Sequence, residues 1–168
     1  MKLRKLKAKD AENMLSWMHD DNVNQFFATQ FKNFDQQKVL RFIEESQTDG
    51  EQVHRACVND EDEYLGTVSL KNIDFINKNA EYAISFCPRA HGTGAAKFAT
   101  NQILQIAFHA FYLERVYLNV LSKNDRANAF YRKYGFVFEG TFKNHVFIGD
   151  ELCDLNWYRM LKEEYNGF

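Results

Sequence analysis

The spacing of apolar positions changes along the chain, and the changes mark out its elements. In "KLRKLK" Leu3 and Leu6 stand among basic residues, as in a short edge strand. In "KDAENMLSWMHDD" Met14, Leu15 and Met18 fall at helical spacing behind Asp10, a candidate N-cap. A second helical stripe follows in "NFDQQKVLRFIEESQ", where Val39, Leu40, Phe42 and Ile43 come after a further cap candidate, Asp35. The pattern then turns strand-like. "QVHRACV", "EYLGTVSLKNID" and "AEYAISF" are β-prone runs separated by the polar turns "NDEDE" and "NKN", which predicts an antiparallel meander. "AKFATNQILQIAFHAFY" repeats Ala99, Ile103, Ile106 and Ala110 at intervals of three and four, the longest helical pattern in the chain. "RVYLNVL" reads as a strand, and "NDRANAFYRKY" as a short helix stopped by Gly135. "FVFEGTFKNHVFIGDELCDLNWYRML" reads as strands about a Gly149-Asp150 turn.

The predicted order is β-α-α-β-β-β-α-β-α-β-β. This is the α+β class: a mixed, mostly antiparallel central sheet flanked by helices. The helix after the meander must cross over to reach the next strand, so those two strands become parallel neighbours. Where such neighbours diverge, a sheet opens a ligand cleft at their carboxyl ends. No repeat, low-complexity tract or linker interrupts the pattern, and residues 1–168 are expected to form a single domain.

Composition narrows the chemistry. The chain is 45% hydrophobic and 26% charged with a net charge of −2, which suits a folded globular protein and lacks the basic excess that nucleic-acid binding requires. The basic start is not followed by a signal-like apolar run, and no stretch approaches the length of a membrane span. The expectation is therefore a cytoplasmic protein without a membrane partner. Cys57, Cys87 and Cys153 form no C-x-x-C pair, and the five histidines show no metal-ligand spacing. Free thiols and no metal site are expected.

"PRAHGTGAAKFATN" places Gly92 and Gly94 where a strand hands over to the long helix, an arrangement that suits an anion. Three readings compete. The glycines can simply permit a tight turn. "GTGAAK" begins like a dinucleotide fingerprint, but Lys97 occupies the position that needs a small residue, and no Walker-type Lys-Ser/Thr follows a glycine. Taking Arg89 into the motif, "RAHGTG" fits R/Q-x-x-G-x-G/A.

With that motif the chain resembles the GNAT superfamily of N-acetyltransferases. The likeness also rests on "KLRKLKAKDAENMLSW", "AEYAISFCP", "VYLNVLSKNDRANAFYRKYGFVFEG" and "FIGDELCDLNWYRMLKEEY", in the expected order over nearly the whole chain. The resemblance is greatest to the branch holding ribosomal-protein N-terminal, spermidine and amino-sugar nucleotide acetyltransferases. It implies the acyl-CoA N-acyltransferase fold and acetyl-CoA as co-substrate. It also implies that main-chain groups of Ile84, Ser85 and Phe86 align the pantetheine arm, where a backbone N–H could meet the oxyanion. The amides around Gly92, Thr93, Gly94 and Ala95 would receive the pyrophosphate, with Arg89 adding charge nearby. Many relatives carry a basic residue where Thr93 stands. Tyr131 matches the general acid to the departing thiolate, with Tyr134 a packing neighbour. Asn124 matches a cofactor-binding asparagine that can also cap its helix, with Asp125 as rival cap.

For the general base two candidates stay open, Glu81, on the same strand face as Ala83 and Ser85, and an ordered water. The acceptor is read from weaker signals. "NQFFATQFKNF" offers Phe26, Phe27, Phe31 and Phe34 with only Lys32 charged. That favours a nucleotide-linked amino sugar over a polyamine, with a protein N-terminus as second choice and core filling as the plain alternative. Acidic Asp20 and Asp21 keep the polyamine open. A non-catalytic acyl-CoA-binding module is the reading of another class. Apolar Val146, Phe147, Ile148, Leu152 and Trp157 near the end of the chain suggest a homodimer.

Overall fold

In a computed structural model, which describes residues 1–167, the elements follow the predicted order with one addition. They are β1 (Lys2–Arg4), α1 (Ala11–Met18), α2 (Asp21–Asn24), α3 (Gln36–Glu45), β2 (Val53–Val58), β3 (Tyr64–Asp74), β4 (Asn79–Phe86), α4 (Ala95–Gln105), β5 (Arg115–Leu121), α5 (Asp125–Lys133), β6 (Val137–Ile148) and β7 (Glu151–Leu161). The addition is α2, a single turn whose Asp20 accepts from the Asn22 amide. It lies in a stretch too short and too polar for periodicity to register. The long helix is also shorter than its pattern suggests, since its last turn, Ile106–Ala110, widens to a π-helix before Phe111.

Caps divide the same way. Asp35 caps α3 by accepting from the Lys38 amide at 2.8 Å. Asp10 does not cap α1. Its buried carboxylate instead accepts from Arg4 Nη1 and Nη2 at 2.7 and 2.8 Å and from the Lys7 amide at 2.8 Å, an ion pair that outcompetes the helix amides.

The strands form one seven-stranded sheet in the order β1-β2-β3-β4-β5-β7-β6. Among the described residues only β4 and β5 run parallel, the crossover through α4 having placed them side by side. Alternation along each strand builds two apolar layers. Val68, Leu70, Ala80, Tyr82, Val116, Leu118 and Tyr158 face α4 and α5, where Ala99, Ile103 and Leu104 close the larger core. Ala56, Val58 and Tyr64 face α1 and α3, meeting Met14, Trp17, Val39 and Ile43. The three cysteines are free and buried. Among the described residues no helix is long and apolar enough to cross a membrane.

Candidate active site

The parallel pairing of β4 with β5 lasts only three rungs: Asn79 with Arg115, Ala80 with Val116, and Glu81 with Tyr117. Beyond Glu81, β4 stays with β3 while β5 stays with β7, so the sheet splits at the carboxyl ends of its parallel pair. The Cys87 amide donates to the Leu65 carbonyl at 2.9 Å, which fixes the alternation of β4. Residues with the parity of Cys87, including Ser85, hydrogen-bond toward β3. Ile84 and Phe86 therefore turn their N–H and C=O groups into the split. Of the main-chain groups singled out from sequence, Ser85 is thus spent in the ladder opposite Thr67, while Ile84 and Phe86 are directed into the split, where the Phe86 carbonyl meets His91. The Phe86 ring lies across Gly66, where a Cβ would come within 2.5 Å of it.

The loop after β4 ends in Gly92 and Gly94, at φ +78° and +84°, left-handed values that L side chains rarely adopt. Gly94 occupies the cap position of α4 without a side-chain cap. Thr93 folds back, its hydroxyl donating to the Ala90 carbonyl at 2.7 Å and accepting from the Ala95 amide at 3.3 Å. The amides of Gly92, Gly94, Ala96 and Lys97 make no hydrogen bond among the described residues, and a Cβ at either glycine would meet nothing within 4 Å. Exposed donors at the positive end of a helix make a nest for an anion. Arg89, expected beside that anion, is engaged elsewhere. Its Nη2 donates to the Tyr64 carbonyl at 2.8 Å and to Asn13 Oδ1 at 3.2 Å, so it ties the loop to β3 and α1.

Tyr131 lies over the split on the α4 and α5 side. Its ring meets Tyr82 of β4 at 6.1 Å and Tyr158 of β7 at 6.0 Å, with Phe136 at 5.6 Å, so one side chain spans both banks. The residue is buried, and among the described residues its hydroxyl makes no hydrogen bond. Burial pushes the phenol well above the usual tyrosine value and so favours its protonated form. Tyr134 packs as read, its ring 4.7 Å from Phe130 with Lys97 and Lys133 beside it. Asn124, not Asp125, caps α5, accepting from the Ala127 amide at 3.1 Å.

On the opposite face of the sheet, Glu81 shares the last parallel rung with Tyr117. Its Oε1 is 3.1 Å from Lys71 Nζ, and its Oε2 accepts from Asn72 Nδ2 at 2.9 Å. Tyr117 stacks on Trp157 at 6.0 Å, and Trp157 meets Phe142 at 5.1 Å. The phenylalanines of the α2–α3 segment are half-buried and packed on one another. Phe27, Phe31 and Phe34 form a chain of ring contacts with Trp17 at 5.2 to 6.0 Å, and Phe26 packs against the small cluster of Leu121, Cys153 and Leu155. The sequence reading missed Tyr117 and Trp157, which share a face with Glu81 only once register is known. It also missed Arg126, a cation in the first turn of α5 that bridges to His91 in the glycine loop.

The chain belongs to the acetyltransferase (GNAT) domain family, whose match covers residues 1–137. It is 32% identical to a spermidine N(1)-acetyltransferase of Vibrio cholerae over 60% of this chain and 58% of that protein. It is 28% identical to a putative ribosomal N-acetyltransferase of Bacillus subtilis over 61% and 56%. These alignments thus span less than two thirds of each relative. A crystal structure of spermidine N-acetyltransferase from Vibrio cholerae in complex with CoA and spermine superposes with a TM-score of 0.89 at 23% identity, covering 98% of this chain and 96% of that one. The family and the mixed, mostly antiparallel acyltransferase fold read from the sequence therefore stand.

Proposed function

We propose that this protein is an acetyl-CoA-dependent N-acetyltransferase acting on a primary amine of a small polyamine-type molecule. One observation carries the reading: the main-chain groups of Ile84 and Phe86, the unpaired loop amides and the Tyr131 side chain all border one split between β4 and β5. The loop amides fit a pyrophosphate, and the β4 edge fits the amide-bearing pantetheine arm, laid down like an added strand. The thioester then reaches the sheet beside Tyr131. The amine nitrogen attacks the thioester carbonyl carbon, the C–S bond breaks, and the thiolate takes the Tyr131 proton. The amine's own proton leaves to Glu81 or to a water that Glu81 orders. Glu81 is held by the Lys71 ion pair on one oxygen and the Asn72 hydrogen bond on the other, which fixes it to position such a water.

For the acceptor, the polyamine takes precedence over the nucleotide-linked amino sugar that the sequence favoured. The aromatic stretch that suggested a sugar face is engaged in edge contacts with Trp17 and within itself, and the Vibrio cholerae relative is a spermidine acetyltransferase. A protein N-terminus is the second reading, favoured by the Bacillus subtilis relative. The test is release of free thiol from acetyl-CoA with spermidine, spermine, N-terminal peptides and nucleotide-linked amino sugars. Turnover with the polyamines is expected. Turnover with another amine alone would overturn the acceptor, and binding of acetyl-CoA without thiol release from any amine would leave a non-catalytic acyl-CoA module.

A further inference from the structure

Arg126 is a charge that the fold itself does not need. It occupies the second helical position of α5, after Asn124 and Asp125, where the helix dipole disfavours a cation. Arg4, Arg55, Arg115 and Arg159 are each paired with carboxylates. Among the described residues Arg126 has no carboxylate partner. Its Nη1 lies 3.0 Å from His91 Nδ1 and its Nη2 3.3 Å from Nε2. A neutral imidazole has one lone pair for two approaching donors, so this contact satisfies the guanidinium poorly. Burial, then Arg126, holds His91 below the usual histidine value, while the Phe86 carbonyl opposes them. The bridge runs from α5 to the loop after β4, across the mouth of the split. A residue that breaks a local rule while facing a cleft is where function is expected.

We propose that Arg126 binds a phosphate of the acyl carrier at the mouth of the split, exchanging His91 for that phosphate. It thereby supplies the charge that Thr93 does not bring and that Arg89, tied to Tyr64 and Asn13, does not deliver. The inference rests on the donor reading above. It adds a specificity-determining residue to that site and makes His91 the resting partner of the guanidinium.

The test is calorimetric titration of wild type, Arg126→Gln and Arg126→Lys with CoA and with 3′-dephospho-CoA over a range of salt concentrations. Arg126→Gln should weaken CoA about tenfold, the scale of one charged hydrogen bond, and flatten the salt dependence of binding, while Arg126→Lys keeps the slope. An equal loss with 3′-dephospho-CoA assigns the contact to the diphosphate, and a loss confined to CoA assigns it to the 3′-phosphate. Adding Thr93→Arg to Arg126→Gln should recover affinity. The inference is overturned if Arg126→Gln binds CoA as wild type does, or binds it weakly with an unchanged salt slope, which marks a structural defect. Failure of the wild type to bind CoA would remove the donor reading itself.

Discussion

The two sides of the sheet at the split are built from different materials. On the side proposed for the donor, the groups that border the opening are mostly main chain: the β4 edge at Ile84 and Phe86 and the amides of the glycine loop, with the side chains of Tyr131 over the gap and Arg126 at its mouth. On the side proposed for the acceptor, the sheet presents side chains: Glu81 with Lys71 and Asn72, and Tyr117 stacked on Trp157. A backbone site depends on conformation and tolerates many sequences. A side-chain site is set residue by residue. One donor with many acceptors is the natural outcome of such a division.

The largest effect should come from the side chain over the gap. Tyr131→Phe keeps the ring packing and removes only the hydroxyl that would give the proton, so kcat should fall about 100- to 1,000-fold with donor affinity unchanged, in steady-state thiol release. Because burial raises this phenol, the wild-type rate should show no loss from tyrosine ionisation up to about pH 10. An unchanged kcat in the Phe variant would place the acid elsewhere.

The acceptor face should show itself next, in stability. His54 of β2 is buried against Ser69 at 2.7 Å and Gln52 at 3.1 Å, and burial, then Lys71 and Arg55, push its pKa from 6.5 down to about 4. The unfolded chain therefore binds a proton that the folded one refuses. Stability is full above about pH 6.5 and declines as pH falls toward about 4, by up to about 3 kcal/mol. His91 acts in the same direction and is more exposed. Urea denaturation at pH 7 and pH 4.5 should show the loss in wild type and most of it abolished in His54→Gln. An equal loss in both would assign it to other groups.

Smaller effects separate the two sides. Gly94→Val forces a β-branched residue to φ +84° at a cost of about 1–2 kcal/mol, and should raise the acetyl-CoA KM roughly tenfold without altering acceptor KM. Glu81→Gln should do the reverse, lowering kcat/KM for the amine by a factor of about 3–10 and leaving donor binding intact. If both variants shifted both substrates alike, the division between backbone and side-chain recognition would fail.

Legibility followed the same division. The element order, the crossover and the split were readable because periodicity and the glycine turn encode backbone geometry, and "RAHGTG" carries its conformation in its residue types. What escaped was long-range pairing of side chains. Arg89 looked free beside the loop, but its partner is a carbonyl of Tyr64, 25 residues earlier in the chain. Asp10 looked like a cap until Arg4 claimed it. Phe27, Phe31 and Phe34 have the composition of a stacking wall, and only their mutual contacts and Trp17 show that they fill space. Lys71 and Asn72 are brought onto Glu81 by the pairing of β3 with β4, which no local pattern announces.

The central claim is that the donor is gripped by main chain along β4 and the glycine loop. Amide hydrogen exchange of the wild-type protein with and without acetyl-CoA tests it most directly. The account predicts slowed exchange at Ile84, Phe86 and the amides from Gly92 to Lys97, with α1, α3 and β2 unchanged. Protection that appeared on α1 and α3 while those amides exchanged as before would contradict it.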